Sequence, residues 1–234
     1  MLDRWRWLKQ RLPRTRNGER LLDVGCGSGS FTIGGARRGY ECIGLSWDKR
    51  NQSVAEQRAQ LCRVVARFPI QDVRYLGQEA EFRNRFDVLI CFENIEHVLD
   101  DRLLMDSMAA CLVPGGRLLL TTPNYLYREI TAEDRGPFSA VEDGRHVRRG
   151  YTAPMLKELC DASGLVVEEI SFCSGFLSQK ITVLFRTIKP FILGWIIVLP
   201  LRILPPIFDR LIAKLTGWPD FSICLVAYKP RFRS

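Results

Sequence analysis

The sequence predicts an α/β protein with a doubly wound, mostly parallel sheet, and three observations point to it. Short apolar runs suited to strands alternate with stretches of helical period along the chain. The first run leads at once into a glycine-rich turn and then a helical stretch. The length, 234 residues with 47 % hydrophobic and 26 % charged, suits a single domain over residues 1–234 that can bury a full core and carry one insertion.

The chain begins with a basic stretch in which Trp5, Leu8 and Leu12 recur at helical spacing. This predicts a short amphipathic helix that covers one side of the domain, or one whose basic face touches lipid. The stretch lacks the apolar core of a signal peptide, which argues against secretion. Arg20–Val24 reads as the first strand, with a helix near Ser30–Arg38 after the glycine turn. Glu41–Leu45 is the second strand, Lys49–Val65 a long helix, Pro69–Tyr75 the third strand and Phe86–Phe92 the fourth. A helix over Asp101–Leu112 ends at Pro114-Gly115-Gly116, and Arg117–Thr121 is the fifth strand. The loop from Pro123 to Gly150 is too long for a simple connector, which argues for a lid. Thr152 suits the N-cap of a helix through Ala162 with Gly164 after its end; Leu165–Cys173 and Phe221–Tyr228 are the last two strands.

Between those strands lies a hydrophobic stretch, residues 174–220, containing Phe191-Ile192-Leu193-Gly194-Trp195-Ile196-Ile197-Val198-Leu199. A spanning helix needs about 20 apolar residues, and Pro200 and Arg202 interrupt this run too early. Arg186, Lys189, Arg202, Arg210 and Lys214 punctuate the apolar segments. The composition fits helices lying in a membrane interface or a greasy cap over a hydrophobic pocket, and ordinary packing on the sheet is the alternative.

The formal charge of +8 lies largely on arginine, leaving acidic substrates, a membrane surface and nucleic acid open as partners. The eight cysteines form no C-x-x-C pair and only two histidines are present, so no metal site is expected. Several cysteines fall inside apolar runs as small hydrophobes, which points to a reducing, cytoplasmic compartment.

A strand ending in Asp, then G-x-G-x-G, then a helix lets the backbone approach a ligand with no side chain intervening. The dinucleotide pattern G-x-G-x-x-G would need glycine at position 30, where this chain has Ser30. The run Leu21-Leu22-Asp23-Val24-Gly25-Cys26-Gly27-Ser28-Gly29 resembles the first motif of class I methyltransferases. The resemblance covers about residues 20–173. It implies a Rossmann-like seven-stranded sheet with an antiparallel last strand, and S-adenosyl-L-methionine as cofactor. Asp23 and the backbone of Gly25, Cys26, Gly27, Ser28 and Gly29 would then surround the methionine part, whose ammonium would find Asp23 or neighbouring carbonyls. The acid this family places after the second strand to bind the ribose is replaced here by Ser46, with Asp48 two residues later. That detail is similar to the cyclopropane-fatty-acid-synthase branch and implies Ser46, Trp47 and Asn51 as ribose neighbours, with Asp48 competing and Trp47 alternatively core. Asp72 matches the position that accepts from the adenine amino group, and Val73 would add a backbone donor.

Glu93-Asn94-Ile95-Glu96-His97-Val98 is similar to the E-x-x-E-H-V pattern of small-molecule methyltransferases such as ubiquinone-pathway O-methyltransferases. Ligands of such sheets sit beyond the carboxyl ends of the strands, so Glu93 and Asn94 should face the sulfonium or the acceptor. The D/N-P-P-Y/F/W motif of nucleic-acid amino-methylating enzymes is missing at this strand end, which argues against nucleic acid as partner. The lid carries Gly144-Arg145-His146-Val147-Arg148-Arg149-Gly150-Tyr151-Thr152, similar to a run in several bacterial relatives. Its arginines are expected to grip an acidic or phosphorylated acceptor, with Tyr151 lining the pocket, unless the run is a solvated loop. Methyl transfer is an in-line displacement that needs alignment and, for a hydroxyl, a base; His146, His97 and Glu93 are the candidates. The expected function is O-methylation of a hydrophobic or lipid-linked small molecule at the inner membrane face, with the oligomeric state left open. The alternatives are a soluble methyltransferase for an acidic natural-product or sugar intermediate, and a cofactor-binding membrane scaffold without activity.

Overall fold

The computed structural model describes residues 2–129, 132–188 and 191–231; Lys189 lies outside them. A basic helix α1 (Leu2–Arg11) precedes β1 (Arg20–Val24), α2 (Ser30–Ala36), β2 (Glu41–Leu45), α3 (Lys49–Leu61) and a two-residue β3 (Ala66–Arg67). Then come β4 (Phe86–Phe92), α4 (Asp101–Cys111), β5 (Leu112–Pro123), α5 (Ala153–Ala162) and β6 (Val166–Cys173). Three helices follow, α6 (Phe176–Thr187), α7 (Phe191–Leu201) and α8 (Pro205–Thr216), before β7 (Ser222–Tyr228). The sheet has seven strands in the order β3-β2-β1-β4-β5-β7-β6, all parallel except β7, which runs antiparallel to both its neighbours.

Adjacent residues on each central strand point to opposite faces, which divides the core in two. Leu22, Leu89, Leu118 and Leu225 pack against α4 and α5, whereas Leu21, Ile90, Leu119 and Val226 pack against Trp7 and Leu8 of α1. The N-terminal helix is therefore a structural cover, with Leu8 and Leu12 fully buried and its basic residues Arg6 and Lys9 outward.

The third strand departs from expectation. Pairing stops at Arg67, followed by one bridge between Ser46 and Ile70, and Val73–Gln78 winds into a 3-10 helix. The Asp72 carboxylate accepts the amide of Arg74 at 3.0 Å, a side-chain cap that starts a helical turn where the apolar run reads as strand. The fifth strand is longer than expected, because Pro114-Gly115-Gly116 belongs to it instead of to a turn.

The stretch before β7 is tied to itself at one end. Asp209 of α8 accepts the amides of Leu177 and Ser178 in the first turn of α6, at 2.6 and 3.1 Å. Gly175 permits that approach, since a Cβ there would lie 2.9 Å from the Asp209 side chain. Replacing Asp209 by alanine is expected to cost about 0.5–2 kcal/mol, as for a lost helix cap. Hydrogen exchange should then speed up in α6 and α8 while the amides of β4 and β5 keep their protection.

Candidate active site

The fold places the first motif at the carboxyl end of β1, an interior strand of the sheet. Gly25, Gly27 and Gly29 all adopt positive φ, at 80°, 51° and 75°. A Cβ on Gly25 would lie 2.3 Å from Cγ of Asn94, and one on Gly29 would lie 2.9 Å from Ala55 and Phe68. Gly27 faces open space, so a ligand can come directly against the backbone there. Cys26 is buried, with its thiol toward Gln52, and Ser28 is held by Arg58. Asp23 is 2 % exposed and accepts a 2.6 Å hydrogen bond from the Thr32 hydroxyl; burial pushes its carboxyl up to about 7. Its nearest duty is to hold the loop to the start of α2.

The ribose and adenine candidates divide. The Ser46 hydroxyl accepts the amide of Asp48 at 3.1 Å, and Asp48 caps α3 by accepting the amides of Arg50 and Asn51. Asp48 is thus a helix cap through its Oδ1. Trp47 is 68 % exposed and is not core. It lines a cavity of about 260 Å³ together with Asp72, Val73, Asn94 and His97. Asn51 lies half-buried in the first turn of α3 and does not line that cavity. Asp72 is chelated by Arg74, whose hydrogen bonds hold its carboxyl below the usual range. Arg74 also pairs with Glu142 of the lid at 2.8 Å.

A second cavity, of about 300 Å³, lies beside the first, and His97 belongs to the walls of both. Glu93 takes the left-handed conformation, φ 50°, so consecutive side chains diverge: Glu93 enters the second cavity and Asn94 the first. A non-glycine residue held this way costs about 1–3 kcal/mol, and such strain gathers at functional sites. Glu93 accepts from Thr121 and Ser222 and pairs with Arg4 at 2.8 Å. Glu96 is fully buried; one carboxylate oxygen accepts from Thr122 at 3.0 Å and the other has no partner. Burial and the neighbouring Glu93 charge hold Glu96 well above the usual carboxylate range. The His97 and His146 rings meet edge to face with centroids 4.7 Å apart. Burial, reinforced by His97, lowers the pKa of His146 and keeps its imidazole neutral. Glu96, His97 and His146 each offer a ligand-type atom within 4.8 Å of the others.

The lid arginines do not do what the sequence suggests. Arg148 pairs with Asp101 and donates to the carbonyls of Val98 and Leu99. Arg149 donates to the carbonyls of Tyr125 and Tyr127, and Arg145 pairs with Asp143 at the surface. Tyr151 is fully buried with its hydroxyl on Asp101, so it belongs to the core and not to the pocket. These residues fasten the lid, which contributes His146 and Asp134 to the second cavity. The wall is completed by Arg4 from α1 and by Gln179, Thr182 and Arg186 from α6. Sequence reasoning missed those four. For the three on α6 the trace is the i, i+3, i+7 spacing of residues 179, 182 and 186, which puts them on one face of the helix.

The reversed seventh strand and the glycine loop at the end of β1 define a class I methyltransferase fold. Residues 3–170 match the family described as a methyltransferase domain, and the chain belongs to it: it is an S-adenosylmethionine-dependent methyltransferase. It is 29 % identical over 174 residues to a ubiquinone biosynthesis O-methyltransferase of Coxiella burnetii, covering 72 % of this chain and 71 % of that one. It is 32 % identical to the protein of the same name in Aeromonas salmonicida, over 66 % of each chain. A solved S-adenosylmethionine-dependent methyltransferase from Mesorhizobium loti superposes with a TM-score of 0.60 at 19 % identity, covering 96 % of this chain and 97 % of that one. The helices α6 to α8 lie beyond residue 170, outside the family match.

Proposed function

We propose that this single domain, with residues 174–220 as its inserted cap, O-methylates a hydrophobic or lipid-linked small molecule. The observation that carries the reading is the second cavity, where a neutral His146 stands beside Glu93, Glu96 and His97 under the cap helix α6. The first cavity suits S-adenosylmethionine: Trp47 offers an aromatic face, Asp72 and Val73 lie beside it, and Gly27 leaves backbone open. Asp23 would keep the glycine loop in shape, with Ser46 and Asn51 on the ribose side. Bound there, the cofactor supplies a methyl group activated by positive sulfur. The residues of the second cavity then do three things. Gln179 and Thr182 orient the acceptor, the cap excludes water, and the His146 imidazole takes the hydroxyl proton as the oxygen attacks the methyl carbon in line. His146 would release that proton to solvent after turnover, while the carbon–sulfur bonding pair would depart with the donor's sulfur. Glu93, paired with Arg4, lies where it can stabilise the imidazolium.

The ubiquinone-pathway names of the relatives support an oxygen acceptor from the lipid phase. A cytoplasmic enzyme held at the inner membrane face would meet such a molecule directly. The test is incubation with methyl-labelled cofactor and a total lipid extract of the source organism. Label is expected in the organic phase on extraction; label confined to a water-soluble product would favour an acidic natural-product or sugar acceptor. Cofactor binding with no transfer to either fraction would favour the inactive scaffold.

A further inference from the structure

We infer that the outer faces of α7 and α8 dock on an anionic lipid bilayer as a bent pair lying in one leaflet, an inference that deepens the lipid-linked reading above. A helix apolar all round belongs in a protein core or in lipid. Residues 191–201 of α7 carry no charged residue, yet of its described side chains only Val198 is fully buried; Ile196 is 66 % exposed. Ile192, Ile196 and Leu199 form one exposed stripe on α7, and Ile207, Leu211 and Leu215 form another on α8, all at helical spacing. Exposed apolar stripes of this kind on successive helices of a folded chain mark a contact.

Charge says which contact. Lys180, Arg186, Arg202, Arg210 and Lys214 stand on the insert among the described residues. Of its two acids, Asp209 is buried against the first turn of α6 and Asp220 is half-buried. Arg202 lies over the rings of Phe185 and Trp195, at 5.3 and 4.8 Å, placing a cation at the edge of the apolar face. A groove of about 430 Å³ between α1 and α8 is lined by the exposed Arg6 as well as by Arg210. An apolar face ringed by cations fits anionic head groups over acyl chains. A second copy of the chain would set the same cations against each other across a two-fold axis.

Geometry says how. Among the described residues no single helix is long and apolar enough to cross a membrane, and α7 meets α8 at a bend of 67°. Pro200 in the last turn of α7 and Pro205-Pro206 at the start of α8 fix that bend. A pair bent this sharply is not one straight rod across a bilayer, which suits two helices lying in one leaflet. α6 lies between them and the site: it packs on both helices, while its Gln179, Thr182 and Arg186 line the second cavity. An acceptor anchored in the leaflet would reach His146 by passing α6 alone.

The test is flotation of the full-length protein with vesicles of phosphatidylcholine alone or mixed with phosphatidylglycerol, without cofactor or acceptor. Wild type is expected to float with the anionic vesicles at low salt and at least about tenfold less with the neutral ones. The double variant Ile196→Glu/Leu211→Glu should lose at least about tenfold of that binding, with unchanged circular dichroism and unchanged affinity for S-adenosylmethionine. Arg210→Gln/Lys214→Gln should lose the preference for anionic lipid. Wild type remaining in solution with both vesicles would overturn the inference. So would a wild-type dimer that the double variant turns into a monomer with no change in flotation. Because flotation needs no methyl transfer, its failure leaves the lipid-extract assay standing, and the converse holds too.

Discussion

Gly25→Val is expected to abolish binding of S-adenosylmethionine while leaving the sheet folded. Two costs combine at this position. The backbone has φ 80°, where a Cβ-bearing residue costs about 1–2 kcal/mol and a β-branched one more. The new Cβ would also lie 2.3 Å from Cγ of Asn94, which lines the first cavity, so either the loop or Asn94 must move into the space a ligand needs. A loss of roughly a hundredfold or more in affinity follows, equal to about 2.7 kcal/mol. Calorimetry reads it directly, and far-UV circular dichroism of the same sample shows whether the fold persists. Unchanged affinity would remove the Gly25–Gly29 loop from the cofactor site. Gly27→Ala offers a graded companion, since its Cβ would meet no protein atom within 4 Å and interferes only through φ and the ligand.

His146→Ala is expected to lower kcat by about two to four powers of ten, the usual contribution of a positioned base. Cofactor affinity should change little, because His146 lines the second cavity and not the first. The pH profile carries the sharper signature. Burial and the nearby His97 lower the pKa of His146 below the ordinary imidazole value. The active, neutral form therefore persists as pH falls through about 6.5, and the acid limb of kcat/KM should lie below that value. The same shift has a stability sign. The folded state favours the neutral ring, so stability is lost as pH drops from the unfolded pKa toward the folded one. In His97→Gln the acid limb should move upward, toward the ordinary value, because one of the two causes is removed. A wild-type limb at or above 6.5, or a His146→Ala enzyme of normal turnover, would take away the base.

Much of the frame was legible because it rests on local rules. The strand-turn-helix around Gly25, the cap at Thr152 and the strands β1, β2 and β4 follow from apolar runs and turn chemistry within a few residues. The third strand was misplaced because the carboxylate of Asp72 starts a helical turn inside an apolar run, a choice made by one hydrogen bond. The roles of the acids and arginines were least legible. Asp48 looks like a free acid until its bonds to the backbone amides at the start of α3 are seen. Arg148 and Arg149 look like anion clamps until their carbonyl partners, 22 to 50 residues away in sequence, appear. Arg4 reaches Glu93 across 89 residues, a contact that no spacing within a single sequence encodes. Such pairings are properties of the packed chain.

The central claim is that two adjoining cavities, joined at His97, hold the methyl donor and its acceptor. A crystal structure with S-adenosylhomocysteine bound tests it most directly. The account predicts adenine against Trp47 with Asp72 and Val73 beside it, the homocysteine backbone over Gly27, and the sulfur directed past Asn94 toward Glu93 and His146. A ligand bound in the groove between α1 and α8, or one whose sulfur points away from the second cavity, would contradict it.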